Sequence, residues 1–139
     1  MSKEQIGKLI HAALDARSRA YVPYSHYAVG AALLGRDGKV YTGVNVENAS
    51  YGATNCAERS AFFGAVEKGV REFEAIAIAG GMEGKAPVEY AYPCGICRQV
   101  MKEFCGKDFQ VIVAKSENEY QIFDLNELLP HSFGGGSIC

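Results

Sequence analysis

Arg36-Asp37-Gly38 sits between two apolar runs, Tyr27 to Leu34 and Lys39 to Val46, the second alternating in part. Asp-Gly in that setting is a strong hairpin signal, because glycine accepts the left-handed backbone that a tight turn demands. An antiparallel pair is therefore expected early in the chain. Further on, "FEAIAIA" (73–79) and "FQVIVA" (109–114) read as buried strands, each preceded by a helix candidate. The first of these helices covers about 56–68, with Ala57, Ala61, Phe62 and Ala65 on one face; the second runs from Cys97 to Phe104. Strands joined through helices need crossovers, which make parallel neighbours. A mixed sheet follows.

The remaining elements fit around it. Ile6, Leu9, Ile10, Ala13 and Leu14 recur at helical spacing, so residues 3 to about 20 form an amphipathic helix that Pro23 closes. Residues 44–52 form a polar loop and 80–93 a loop of low regularity. Tyr120 to Phe123 is a short strand, and Asp124-Leu125-Asn126-Glu127 has the cap-x-x-Glu form of a helix start, ended by Pro130. The order α-β-β-α-β-α-β-β-α describes an α/β fold. It has three layers, α/β/α, around a five-stranded mixed sheet, in a single domain spanning 1–139.

Charge excludes some functions. Fourteen basic residues against sixteen acidic ones, with no Lys/Arg-rich run, lack the footprint of a nucleic-acid binder. No apolar run has the length of a membrane span, and Met1 to Gln5 lacks the charged-then-apolar pattern of a signal peptide. Five cysteines, an odd number, argue against a disulfide framework. The expected setting is a reducing cytoplasm, where thiols bind metal or do chemistry.

Pro93-Cys94-Gly95-Ile96-Cys97 alone is ambiguous between half of a four-cysteine zinc site, a redox pair and two inert thiols. Cys56 alters the balance, since it too begins a helix, and two helix N-termini can present three thiolates to one point. A helix N-terminus favours the thiolate that a metal needs. Three protein ligands leave the fourth tetrahedral position of Zn²⁺ for water, the catalytic arrangement. Glu58, two residues on, reaches that water without ligating the metal and acts as a proton shuttle. Arg59 offsets the surplus negative charge of three thiolates by donating to sulfur.

Cys56-Ala57-Glu58 with Pro93-Cys94-Gly95-Ile96-Cys97 resembles the all-cysteine form of the zinc deaminase signature. Pro23-Tyr24-Ser25, 29–34 "VGAALL", 43–48 "GVNVEN", 97–100 "CRQV" and 127–130 "ELLP" extend the likeness to the small homotetrameric cytidine deaminases, from about residue 5 to Phe133. That resemblance implies a cytidine deaminase-like fold and one zinc ion per subunit held by Cys56, Cys94 and Cys97. It further implies hydrolysis of cytidine and 2′-deoxycytidine to the uracil nucleosides and ammonia, a step of pyrimidine salvage, with Glu58 moving the protons. Asn45 and Glu47 match the pair that binds the ribose hydroxyls, and the Ala57 backbone the contact to the pyrimidine edge. Arg59 matches an arginine that bonds to ligand sulfurs. Phe133 matches an aromatic that reaches a neighbouring subunit's site, with Tyr51 at the same boundary.

Tyr27 stands where the family usually has a phenylalanine near the nucleoside, and its hydroxyl needs a polar partner if buried. Asn55 replaces a commonly apolar residue, and Ile96 a small one. Two rivals stay open. One is deamination of another small aminopyrimidine. The other is a closed zinc or redox module with Cys105 or Cys139 as fourth ligand, which leaves Glu58 without a role. His11, His26 and His131 recreate no ligand motif.

Overall fold

The computed structural model describes residues 1–138, so Cys139 lies outside the described residues. The helix α1 (Lys3–Ala16) opens on a capping box in which Ser2 and Gln5 bond each other's backbone. The hairpin β1 (Tyr27–Gly35) and β2 (Val40–Val44) follows, with Gly38 at φ 82° in its turn as Asp-Gly led one to expect. Then come α2 (Ala57–Glu67), β3 (Phe73–Met82), α3 (Gly95–Phe104), β4 (Gln110–Ser116), β5 (Glu119–Asp124) and α4 (Leu125–Leu128). The Asp124–Glu127 capping box read from the sequence is present.

The five-stranded mixed sheet has the order β2-β1-β3-β4-β5. Only β3 and β4 pair in parallel, while β1 runs antiparallel to both of its neighbours. The crossover from β2 to β3 through α2 therefore does not make adjacent strands, because β1 lies between them. Only the α3 crossover gives the expected parallel pair.

Alternation along the strands sorts the two faces. Ile76, Ile78, Val111 and Val113 face α2 and α3, with Leu33 beside them. Ala75, Ala77, Ala79 and Ala32 face Leu9, Ile10 and Ala13 of α1. Small side chains on the second face let one helix lie close. Gly30 carries this furthest, since a Cβ there would overlap the Ala13 carbonyl. Gly43 does the same on the opposite face, where a Cβ would overlap the Ala57 carbonyl and the Ala61 amide. The start of α2 is thus pressed onto β2.

Phe62 of α2 and Phe104 of α3 stack with ring centroids 6.0 Å apart, and Phe73 meets Phe62 edge-on at 5.0 Å. Burying a side chain such as Phe62 is worth about 1.5–3 kcal/mol. The cluster ties the bodies of the two helices together and leaves their N-termini side by side.

Several boundaries differ from expectation. The first helix ends at Ala16 and tightens into a 3-10 turn at Arg17–Arg19, well before Pro23. Arg17 is the reason: its guanidinium turns inward and donates to the carbonyls of Ala28, Met82 and Lys85. β3 runs on to Met82, inside the expected loop, because β1 pairs with it down to Tyr27. β2 stops at Val44, two residues short of Val46, where the Asn45 side chain takes over the pairing.

Candidate active site

Cys56 is the N-cap of α2 and Cys94 the N-cap of α3, while Cys97 lies in the first turn of α3. The Cys94 Sγ is 3.8 Å from the Cys56 Sγ and 3.6 Å from the Cys97 Sγ. Among the described residues these three thiols form the one group able to hold a metal ion. Thiolates about 2.3 Å from a tetrahedral zinc ion lie about 3.8 Å apart, so this donor set fits zinc. Neither N-cap sulfur accepts from a backbone N–H of its own helix, and the partial positive charge of two helix ends faces the sulfurs. Hydrogen bonding from Cys97, joined by that of Arg59, holds the Cys56 thiol down to about 5.

Pro93 is fully buried, and Arg98 bonds its carbonyl. The Arg98 Nε donates to the Pro93 carbonyl and its Nη1 to the Leu128 carbonyl, each at 2.8 Å. Arg98 thus ties the loop before Cys94 to α4. Nothing in the local sequence of Arg98 marks it for this anchoring role, because the carbonyls it bonds come from elsewhere in the fold.

Glu58 is 4 % exposed and is the buried charged side chain of the described chain. Burial, with the Cys56 thiolate beside it, pushes its carboxyl up to about 7. The Arg59 Nη2 donates to the Cys56 Sγ at 3.2 Å, and its Nε is buried with no partner. Burial opposes the Arg59 charge, yet the neighbouring Cys56 and Cys97 outweigh it and raise its pKa.

A cleft of about 300 Å³ opens at this point, lined among others by Tyr27, Asn45, Cys56, Ala57, Glu58 and Cys94. Ala57 is the first residue of α2, so its N–H has no acceptor within the helix. Val29, Ala91 and Tyr92 also line the cleft, and no chemical signature in the sequence marks them as site residues. The Tyr27 side chain is half-buried in the wall.

Glu47 and Tyr51 line a neighbouring hollow of about 390 Å³ with Tyr24, Ser25, Asn48 and Thr54. Thr54 belongs to both cavities. Phe133 lines neither. It stands 61 % exposed, and its carbonyl accepts from Gln99.

Asn55, next to Cys56 in sequence, links two segments. Its backbone pairs with Val46 in both directions, and its Nδ2 donates to the Ser60 Oγ on the first turn of α2. Asn55 therefore joins the 45–47 segment to the helix that presents Cys56. Cys105 is not the fourth ligand of a closed site: it packs in the core near Phe109, and burial pushes its thiol up to about 12. Cys139 lies outside the described residues. His11 bonds Glu117 at the surface and His26 bonds Glu83, away from the thiols.

The family model described as "Cytidine and deoxycytidylate deaminase zinc-binding region" matches residues 3–113. The chain belongs to this family. It is 48 % identical over 128 residues to the cytidine deaminase of Sporosarcina psychrophila, covering 92 % of this chain and 90 % of that one. It is 50 % identical over 125 residues to that of Halalkalibacterium halodurans, covering 90 % and 91 %. A crystal structure of cytidine deaminase from Burkholderia pseudomallei superposes with a TM-score of 0.83 at 45 % identity, covering 96 % of this chain and all of that one.

Proposed function

We propose that the chain catalyses hydrolytic deamination of cytidine and 2′-deoxycytidine to uridine and 2′-deoxyuridine with release of ammonia, using one zinc ion per subunit. The observation that carries this reading is a buried carboxyl, Glu58, beside three thiols converged on one point. Cys56, Cys94 and Cys97 hold the ion, which when bound supplies the Lewis acidity that makes water nucleophilic at neutral pH.

Glu58 takes a proton from the water as the C4–O bond forms and gives it to N3 of the ring. It then carries the remaining hydroxyl proton to the amino nitrogen, so that the C4–N bond breaks with ammonia as leaving group. The protein walls keep bulk water from competing for these protons, since Glu58 and Ala57 are buried. The Ala57 N–H meets the pyrimidine edge, and the Tyr27 ring lies against the base. Asn45 and Glu47 receive the sugar hydroxyls, each of which donates and accepts. Arg59 drains charge from Cys56 and so limits the excess negative charge of three thiolates.

The active form in this reading is a homotetramer in which Phe133 and Tyr51, 61 % and 79 % exposed in the single chain, complete a neighbouring subunit's site. A free nucleoside is the substrate rather than nucleic acid, in keeping with the near-neutral charge. Cytoplasmic pyrimidine salvage is the setting proposed for such a reaction. No helix among the described residues is long and apolar enough to cross a membrane.

Ultraviolet absorbance of cytidine tests the proposal. Loss of the cytidine band that a zinc chelator stops, and added zinc restores, is the expected result. Absence of turnover by the zinc-loaded protein overturns it, and faster turnover of cytidine 5′-monophosphate overturns the nucleoside assignment.

A further inference from the structure

Pro23-Tyr24-Ser25 forms a turn ahead of β1. In the folded chain this turn lies between the two cavities. Ser25 lines the hollow that holds Glu47, and Tyr27 lines the cleft that holds Glu58, with His26 alone between them. His26 adopts φ 60°, the left-handed region that few side chains tolerate. A backbone bent in that way keeps its shape only where neighbours restrain it.

Asn45 and Glu47 supply the restraint from both sides of Tyr27. The Asn45 Nδ2 donates to the Tyr27 carbonyl at 2.9 Å, and the Val29 N–H donates to the Asn45 Oδ1 at 2.9 Å. On the other side the Tyr27 N–H donates to the Ser25 Oγ at 3.0 Å, and the Ser25 hydroxyl donates to the Glu47 Oε2 at 2.5 Å. The Glu47 Oε1 accepts from the backbone N–H groups of Tyr24 and Ser25 at 3.0 and 3.1 Å. A hydroxyl bound to a carboxylate forms a short, charge-assisted bond, which makes its oxygen a better-held acceptor for the amide behind it. Of the roughly four acceptor positions on a carboxylate, three are filled, which leaves one for a ligand hydroxyl.

We propose that Ser25 is a positioning residue that couples the sugar end of the site to the base end. Its hydroxyl transmits the position of the Glu47 carboxylate to the backbone of Tyr27, so a nucleoside that engages Glu47 also fixes the ring lying against its base. This rests on the reading that Glu47 faces the sugar. The linkage gives a physical reason for serine between a tyrosine and a left-handed residue: a small side chain must both donate forward and accept from two residues on.

Zinc-loaded Ser25→Ala, Ser25→Thr, Glu47→Gln and the Ser25→Ala/Glu47→Gln double variant are assayed on cytidine, with kcat and KM read separately and zinc content and thermal midpoint recorded. Loss of a hydrogen bond to a charged group corresponds to a KM raised about tenfold in Ser25→Ala, with kcat falling less and zinc content unchanged. Ser25→Thr keeps the hydroxyl and returns KM to within about twofold of wild type. The double variant has a KM within about twofold of Glu47→Gln alone, because both substitutions cut one chain of bonds. Ser25→Gly, read in the same way, replaces the alanine variant if that one does not fold.

A wild-type KM in Ser25→Ala beside an impaired Glu47→Gln overturns the coupling and leaves the sugar assignment standing. So do effects that multiply in the double variant, or a threonine variant no better than alanine. A wild-type KM in Glu47→Gln overturns the sugar assignment itself.

Discussion

The two ends of the candidate site, the cleft at the thiols and the hollow beside it, are built by different means. At the metal end, Cys56 and Cys94 are helix N-caps, Cys97 sits in a first turn, and Glu58 is 4 % exposed beneath them. The positions of these side chains follow from two rigid helices, one pressed onto β2 at Gly43 and tied to the other by Phe62 and Phe104. At the end proposed to take the sugar no α-helix takes part. Asn45, Glu47 and Ser25 sit on irregular backbone whose geometry depends on side chain–backbone bonds. Helix ends place reacting groups with little residual freedom, as chemistry requires. Cross-linked loops cost less to deform, so substitutions there should tune binding rather than abolish turnover.

The sharpest way to break this contrast is to remove a thiol. Cys97→Ala should lose tightly held zinc and with it essentially all turnover, read by metal analysis and the ultraviolet assay. Retention of stoichiometric zinc by two thiols would show that the helix ends are not the metal's scaffold. Glu58→Gln is next: kcat should fall about 10²–10⁴-fold while zinc content and fold stay intact. Near-normal kcat would remove Glu58 from proton transfer.

Arg59→Ala probes the layer behind the sulfurs. Groups that bond metal ligands commonly contribute about 10–100-fold in metal affinity or activity, so zinc affinity should drop in that range. The pH–rate profile should shift to higher pH, because more negative charge at the metal makes its water less acidic. Unchanged affinity and profile would leave Arg59 as a packing residue. The smallest effect belongs to the end proposed to take the sugar, where Asn45→Ala should raise the KM for cytidine about tenfold with a lesser fall in kcat. A collapse in kcat as deep as that of Glu58→Gln would erase the distinction between the two ends.

Much of this architecture could be read before folding. The Asp37-Gly38 turn, the Asp124–Glu127 capping box and the alternating strands depend on local backbone preference and period, which survive without knowledge of neighbours. The zinc-binding triad was legible because thiols at helix starts carry a chemical signature and a characteristic spacing. Arg98 was not, since an arginine in a helix reads as a solvated charge until a buried Pro93 carbonyl is found beside it. Arg17 was hidden in the same way: its local sequence continues a helix, and only the carbonyls of Ala28, Met82 and Lys85 turn it inward.

Sequence by itself determined the elements, the mixed sheet and which residue types meet the metal, because these follow from periodicity, capping and ligand chemistry. Tertiary structure alone decided that β1 lies between β2 and β3, since strand order depends on packing between distant segments. It also decided that Asn55 links Val46 to the first turn of α2, and that Ser25 stands between Glu47 and Tyr27. Each of these is a hydrogen bond closed through folded backbone, and no local preference of asparagine or serine names the partner that folding brings within reach.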